Sequence, residues 1–223
     1  MSIIIGLSAC LAGQEVRYDK SHKKSNFCMN ELSRHVEFKT FCPEVAIGLP
    51  IPRPTIRQIK YEDVITVSRP DMTGDVTQDL IDYGQKVATN IDDLSAFIFT
   101  AKSPSCGMER VKIYKYDDSK KAIGSDQSGV GLFAKQIMEL NPALPCEENG
   151  RLNDAPLREN FVLRVYAYNY WLQLKKSGMT KHKIMEFHAE HKYLLLSHCQ
   201  QTYKELGTYL GTTSDSVEDI AAH

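Results

Sequence analysis

Three apolar runs punctuate the first half of the chain, and each empties into a cysteine. Ile3-Ile4-Ile5-Gly6-Leu7 leads to Ser8-Ala9-Cys10, and Val36-Glu37-Phe38-Lys39-Thr40-Phe41 leads to Cys42-Pro43-Glu44. Ala96-Phe97-Ile98-Phe99-Thr100-Ala101 leads to Lys102-Ser103-Pro104-Ser105-Cys106-Gly107. Short apolar runs bounded by turn residues predict strands; Pro104 ends the third and Gly107 lets the backbone turn sharply. Helical spacing fills the gaps. Asn26 caps an expected helix over Phe27 to His35, and Thr77 or Asp75 caps another reaching about Leu94, with Leu80, Val87 and Ile91 inward. A third runs from Leu132 to Leu140 behind Gly129-Val130-Gly131. Val64 to Val67 reads as a short edge strand, Val111 to Tyr114 as a strand by alternation, and Pro50, Pro52 and Pro54 as a stiff extended segment.

The pattern changes near Leu152. Phe161, Val165, Tyr168 and Leu172 form a helical stripe after Pro156, Gly178 breaks it, and Thr180 caps a second helix from Lys181 to Leu206. The expected architecture is α/β: a parallel-type central sheet flanked by helices over residues 1–152, then a helical hairpin within 153–223. Strands alternating with helices imply right-handed crossovers and a parallel sheet. Such sheets bind ligands beyond the carboxyl ends of their strands. Cys10, Cys42 and Cys106 are expected there.

Composition narrows the options. The chain has 223 residues, 42% hydrophobic and 25% charged, enough to bury a core. No apolar run approaches a bilayer span. The N-terminal run has no basic region before it, so a signal peptide is not expected and a cytoplasmic setting is. A formal charge of -1 gives no global field for holding RNA. Six cysteines without a CxxC pair argue against a zinc ribbon or a thioredoxin motif, and cytosolic thiols stay reduced.

Three thiolates without an evident fourth protein ligand suit two chemistries. One is zinc with an open position that activates water, as in a hydrolase. The other is an iron–sulfur cluster with one iron left free, a Lewis acid for a soft atom such as sulfur. Spacing alone does not choose between them, and a non-catalytic cluster or sulfide carrier fits the same thiols. Glu44, two residues after Cys42, is placed to move protons. Ser103 and Ser105 flank Cys106 and can donate to a bound substrate. Cys28, Cys146 and Cys199 read as buried packing residues. Arg53, Arg57 and Lys60 read as a solvated basic face, with phosphate recognition as the alternative. His188, His191 and His198 read as packing or surface groups.

Taken together, Ser8-Ala9-Cys10-Leu11-Ala12-Gly13, Val16-Arg17-Tyr18-Asp19, Cys42-Pro43-Glu44, Gly48-Leu49-Pro50-Ile51-Pro52-Arg53 and Ser103-Pro104-Ser105-Cys106-Gly107 resemble the motif set of the thiouracil desulfidase family. Gly129-Val130-Gly131 fits it as well. The resemblance covers roughly residues 1 to 150. It implies a [4Fe-4S] cluster on Cys10, Cys42 and Cys106, whose open iron takes sulfur from a thiolated base or nucleoside. Water then replaces that sulfur at carbon without net redox change. It also implies Glu44 as the proton-transfer carboxylate and Ser103 as the active-site serine. Asn160-Phe161, Arg164-Val165-Tyr166-Ala167-Tyr168 and Phe187-His188-Ala189-Glu190-His191-Lys192-Tyr193 resemble a YbgA-like module, expected here in a shortened copy.

Overall fold

The computed structural model describes residues 2–222. The chain divides into two compact units at Phe161 and Val162. The first is built on two four-stranded sheets. β1 (Ile4–Ser8), β2 (Glu37–Phe41), β5 (Ala96–Phe99) and β8 (Cys146–Glu148) form an all-parallel sheet in the order β2-β1-β5-β8. β3 (Arg57–Tyr61), β4 (Val64–Ser68), β6 (Val111–Tyr116) and β7 (Ala122–Gly129) form a mixed sheet in the order β4-β3-β6-β7. The helices of this unit are α1 (Pro43–Ala46), α2 (Thr77–Ala88) and α3 (Leu132–Leu140).

β5 is buried along its whole length because it lies inside the parallel sheet with apolar groups on both faces. Its Phe97 and Phe99 rings stack at 4.3 Å, and both meet Phe133 of α3 edge-on. β1 approaches so closely that a Cβ on Gly6 would fall 2.4 Å from the Phe97 ring. That glycine is where two central strands are allowed to meet.

The α/β class is as expected, and several local readings change. Phe27 to His35 is no regular helix: a π-type turn, Phe27–Glu31, runs into a 3-10 turn, Leu32–Arg34. Only Cys28 and Leu32 bury there, and Asn26 makes no capping bond; the Ser25 hydroxyl accepts from the Cys28 amide at 3.3 Å instead. α2 ends at Ala88 rather than near Leu94, where the Thr89 hydroxyl and Asn90 amide return to main-chain carbonyls. β3, β7 and β8 carry no apolar run. β3 emerges directly from the proline-dense segment, β7 is an exposed edge, and β8 buries two carboxylates instead of hydrocarbon.

The second unit is helical throughout. After α4 (Ala155–Lys176) come α5 (Lys181–Glu190), α6 (Lys192–His198), α7 (Gln200–Thr212) and α8 (Val217–Ala222). The helical limb expected from Lys181 to Leu206 is interrupted at His191 and Cys199. Cys199 adopts an extended backbone and its sulfur caps α7, accepting from Thr202. Ile184, Leu210 and Ile220 form the core of this unit, with Trp171, Met179 and Tyr209 against it. No helix among the described residues is long and apolar enough to cross a membrane.

Candidate functional site

The three cysteines singled out from the sequence line one cavity of about 310 Å³ at the carboxyl edge of the parallel sheet. Each arrives by a different local device. Cys10 sits in the 3-10 turn Ala9–Ala12 that follows β1, and Gly13 closes that turn at φ 91°. A positive φ of that size favours glycine. Cys42 stands at the N-cap of α1, with Pro43 opening the helix. Cys106 is carried by the loop after β5. The neighbouring strands β2, β1 and β5 thus deliver residues 10, 42 and 106 to one place.

The Cys106 loop is held from several sides. Ser103 Oγ accepts from the Ser105 and Cys106 amides at 3.2 and 3.1 Å. Carbonyls of Pro104 and Ser105 accept from the Leu132, Phe133 and Ala134 amides at the start of α3, donors that a helix leaves unsatisfied by itself. The buried Gln58 amide spans the carbonyls of Pro104 and Val130 at 3.2 and 2.7 Å. A Cβ on Gly131 would fall 2.6 Å from Ser105 O and Gly107 N. Gly129-Val130-Gly131 is therefore the seat of the cysteine loop as well as a helix start. From the opposite edge, Asn149 Oδ1 accepts from Ala101 N at 3.0 Å, and Glu148 Oε1 accepts from Met108 N at 2.8 Å.

Glu44 also lines the cavity. Its Oε2 accepts from Arg53 Nε at 2.9 Å and Nη2 at 2.7 Å, and its Oε1 accepts from Ser105 Oγ at 3.0 Å. Arg53 is the opposite of a solvated side chain: it is 4% exposed and also donates to the Val16 and Pro50 carbonyls. Only a planar fork of donors could satisfy that many acceptors at once. Arg57 instead lies over the Tyr114 ring at 4.3 Å, and Lys60 pairs with Asp63 at 2.7 Å. Of that basic trio only Arg53 belongs to the site.

Burial raises the pKa of all three thiols, and that of Cys106 goes well above the usual 9.0, with Glu44 and the other two cysteines adding to the rise. Thr100 opposes the rise at Cys10, its Oγ1 lying 3.0 Å from the sulfur. Ionising more than one of these thiols is opposed by repulsion between thiolates, which a cationic centre would relieve. No three His, Cys, Asp or Glu side chains among the described residues converge as they would on a single ion. Cys10, Cys42 and Cys106 line one cavity, and thiolates are donors for soft metals.

The remaining cysteines differ from one another. Cys28 is buried as expected, whereas Cys146 is half-buried and Cys199 is exposed because it serves a helix cap rather than a core. His188 stacks on Tyr203 at 4.4 Å and His191 on Phe187 at 4.1 Å. Sequence reasoning gave Ser8 no role beyond its place in the Cys10 motif, and missed Thr100, Glu148 and Asn149. Ser8 stands two residues before Cys10 and Thr100 directly after β5, six residues before Cys106, and a hydroxyl at the strand end is a usable signal; Glu148 and Asn149 lie in an unrecognised strand and its exit.

A parallel sheet whose carboxyl edge gathers three thiols and an arginine-bound carboxylate around one cavity is the framework of an α/β enzyme with a soft-metal donor set. The model of the 2-thiouracil desulfurase family matches residues 5–149. The chain belongs to that family and is an enzyme of the desulfidase kind. A solved structure described as a [4Fe-4S]-dependent thiouracil desulfidase, TudS, superposes with a TM-score of 0.52 at 29% sequence identity, covering 71% of this chain and 97% of that one. The uncharacterized protein YbgA of Escherichia coli (strain K12) is 27% identical over 52 residues, 23% of this chain. This chain spans only 31% of that relative's length.

Proposed function

We propose that the protein removes sulfur from thiolated pyrimidines of the 2-thiouracil kind, with a [4Fe-4S] cluster held by Cys10, Cys42 and Cys106. The reaction is a hydrolysis: the carbon–sulfur bond breaks, a carbon–oxygen bond to water forms, and sulfide leaves with no net change of oxidation state. When bound, the cluster supplies an iron without a protein ligand, a Lewis acid with affinity for sulfur. The observation that carries this reading is the meeting of three thiols and Glu44 around one cavity.

The chain's own residues divide the remaining work. Glu44 takes the proton of the attacking water: Oε1 accepts one hydrogen bond, from Ser105, and keeps a lone pair for water. Arg53 fixes that carboxylate by engaging Oε2 twice. Ser103 accepts two amides and retains its own hydroxyl proton to donate to the substrate. Phe41, Pro43, Ile56 and Pro104 furnish apolar wall for a planar base. A free base or nucleoside suits this cavity, which lies at the small end of ligand pockets, roughly 300–1,000 Å³. We assign the desulfidase domain to residues 1–152 and a YbgA-like helical module to 153–223, and place the protein in the reducing cytoplasm.

The test is anaerobic purification followed by iron and sulfide analysis and assay of 2-thiouracil. Brown protein that yields uracil and sulfide is expected. Cys10→Ser, Cys42→Ser and Cys106→Ser should each lose the cluster, whereas Glu44→Gln should keep it and turn over more slowly. Retention of a full cluster by all three cysteine variants would refute the ligand assignment. Colourless protein with stoichiometric zinc would replace it with hydrolase chemistry.

A further inference from the structure

The last residue of β1 and the first residue past β5 are joined across the sheet edge. Ser8 Oγ accepts from the Thr100 amide at 3.0 Å, and Ser8 is 2% exposed. Thr100, also buried, turns its own hydroxyl to Cys10, with Oγ1 at 3.0 Å from Sγ. The arrangement is crossed: the strand that leads to Cys106 supplies the hydroxyl partner for the thiol delivered by β1. Ser8 in turn lies beside Cys106, where its hydroxyl favours the thiolate. Both residues line the cavity.

In the free protein either the thiol or the hydroxyl of the Cys10–Thr100 pair can donate. Once Cys10 is a thiolate, only Thr100 has a proton to give. A hydrogen bond to a ligating sulfur withdraws electron density from it, and such bonds are among the protein's means of setting the properties of an iron–sulfur cluster.

We propose that Thr100, pinned by Ser8, is a positioning and tuning residue for the site. Its hydroxyl donates to the Cys10 thiolate, orients that ligand, and makes the iron left without a protein ligand more electrophilic toward the substrate's sulfur. This inference rests on the cluster reading given above. Thr100 was not expected from the sequence to matter beyond ending a strand, Ser8 was quoted only as part of the Cys10 motif, and neither contacts the substrate in this role.

The test compares the anaerobic holoprotein with Thr100→Val, which keeps the shape and drops the hydroxyl, and Thr100→Ser, which restores it. Ser8→Ala is the second site. The midpoint potential of the cluster is read by redox titration followed by electron paramagnetic resonance, alongside kcat and KM for 2-thiouracil. Loss of a hydrogen bond to sulfur destabilises the more electron-rich state, so Thr100→Val should shift the midpoint to more negative potential. It should also lower kcat by about 10-fold, the lower end of losses seen for partners of metal ligands, with KM little changed. Thr100→Ser should recover both values, and Ser8→Ala should shift the midpoint in the same direction as Thr100→Val.

An unchanged midpoint in Thr100→Val would overturn the inference while leaving the cluster reading intact. Wild-type protein without iron would overturn both. If Ser8→Ala does not fold, the valine and serine variants at position 100 decide the matter alone.

Discussion

Arg53 grips a single oxygen of Glu44 with two nitrogens, at 2.9 and 2.7 Å, while its main-chain amide donates to the Tyr18 carbonyl at 2.9 Å. One residue therefore ties together the carboxylate of the site and the loop at its mouth. Breaking a buried ion pair by deleting one partner typically costs about 3–5 kcal/mol, because the other charge stays behind. Arg53→Met should destabilise the metal-free protein by roughly 3 kcal/mol, within that range. Urea unfolding followed by circular dichroism checks this. Glu44→Gln should cost a similar amount, since it strands the Arg53 guanidinium, 4% exposed, beside a neutral amide. Losses in both variants no larger than those of an exposed ion pair, about 0–1 kcal/mol, would show that the pair does not behave as a desolvated one.

The buried thiols make an alkaline prediction for the same metal-free protein. Their folded pKa values are raised above the unfolded value of about 9.0, chiefly by desolvation. Below that value both states keep the proton and the thiols add no pH dependence. Above it the unfolded chain ionises first and binds fewer protons than the folded one, so stability falls as pH rises. Melting temperatures between pH 8 and 10.5 should decline, and the slope should be shallower in Cys106→Ser. A Cys106→Ser protein with the wild-type slope would assign the decline to other groups.

Gly131 is the third target. Its φ of -61° suits any residue, so the objection to a side chain there is purely steric. A methyl group would strike the backbone of Ser105 and Gly107. Gly131→Ala should cost about 1–3 kcal/mol, the usual range for overpacking, and should loosen the loop that carries Cys106. Faster alkylation of Cys106 under anaerobic, metal-free conditions is the expected sign. Gly48→Ala offers contrast: its Cβ would meet nothing within 4 Å, so its cost comes from φ 89° alone and should leave Cys106 untouched.

Much of the site was legible because cysteines at strand ends are set by local pattern, and a parallel sheet turns strand ends into neighbours. The apolar runs of β1 and β5 announce themselves for the same reason. β7 and β8 do not, because an exposed edge strand and a strand carrying Glu147 and Glu148 have no hydrophobic period to detect. One of those carboxylates is held by a partner forty residues away in sequence, the other by an arginine four residues on, past the end of the strand. Glu148 takes the Met108 amide, and Glu147 Oε1 takes Arg151 Nε at 2.7 Å. Arg53 was misread as a solvated cation for the same reason: its charge is visible in the sequence, and the acceptors that surround it are assembled only by the fold. The breaks at His191 and Cys199 escaped notice because neither residue is a glycine or proline.

The strand order β2-β1-β5-β8 also bears on assembly. Cys10 and Cys106 come together only when β1 pairs with β5, across some ninety residues of intervening chain, and parallel pairing of such distant segments is slow. An unpaired chain thus presents scattered thiols, and the cavity that gathers them exists only once these strands have met. Under the cluster reading proposed above, the cavity that would receive iron and sulfide is complete only after these strands have paired, so the apoprotein would fold before it is loaded.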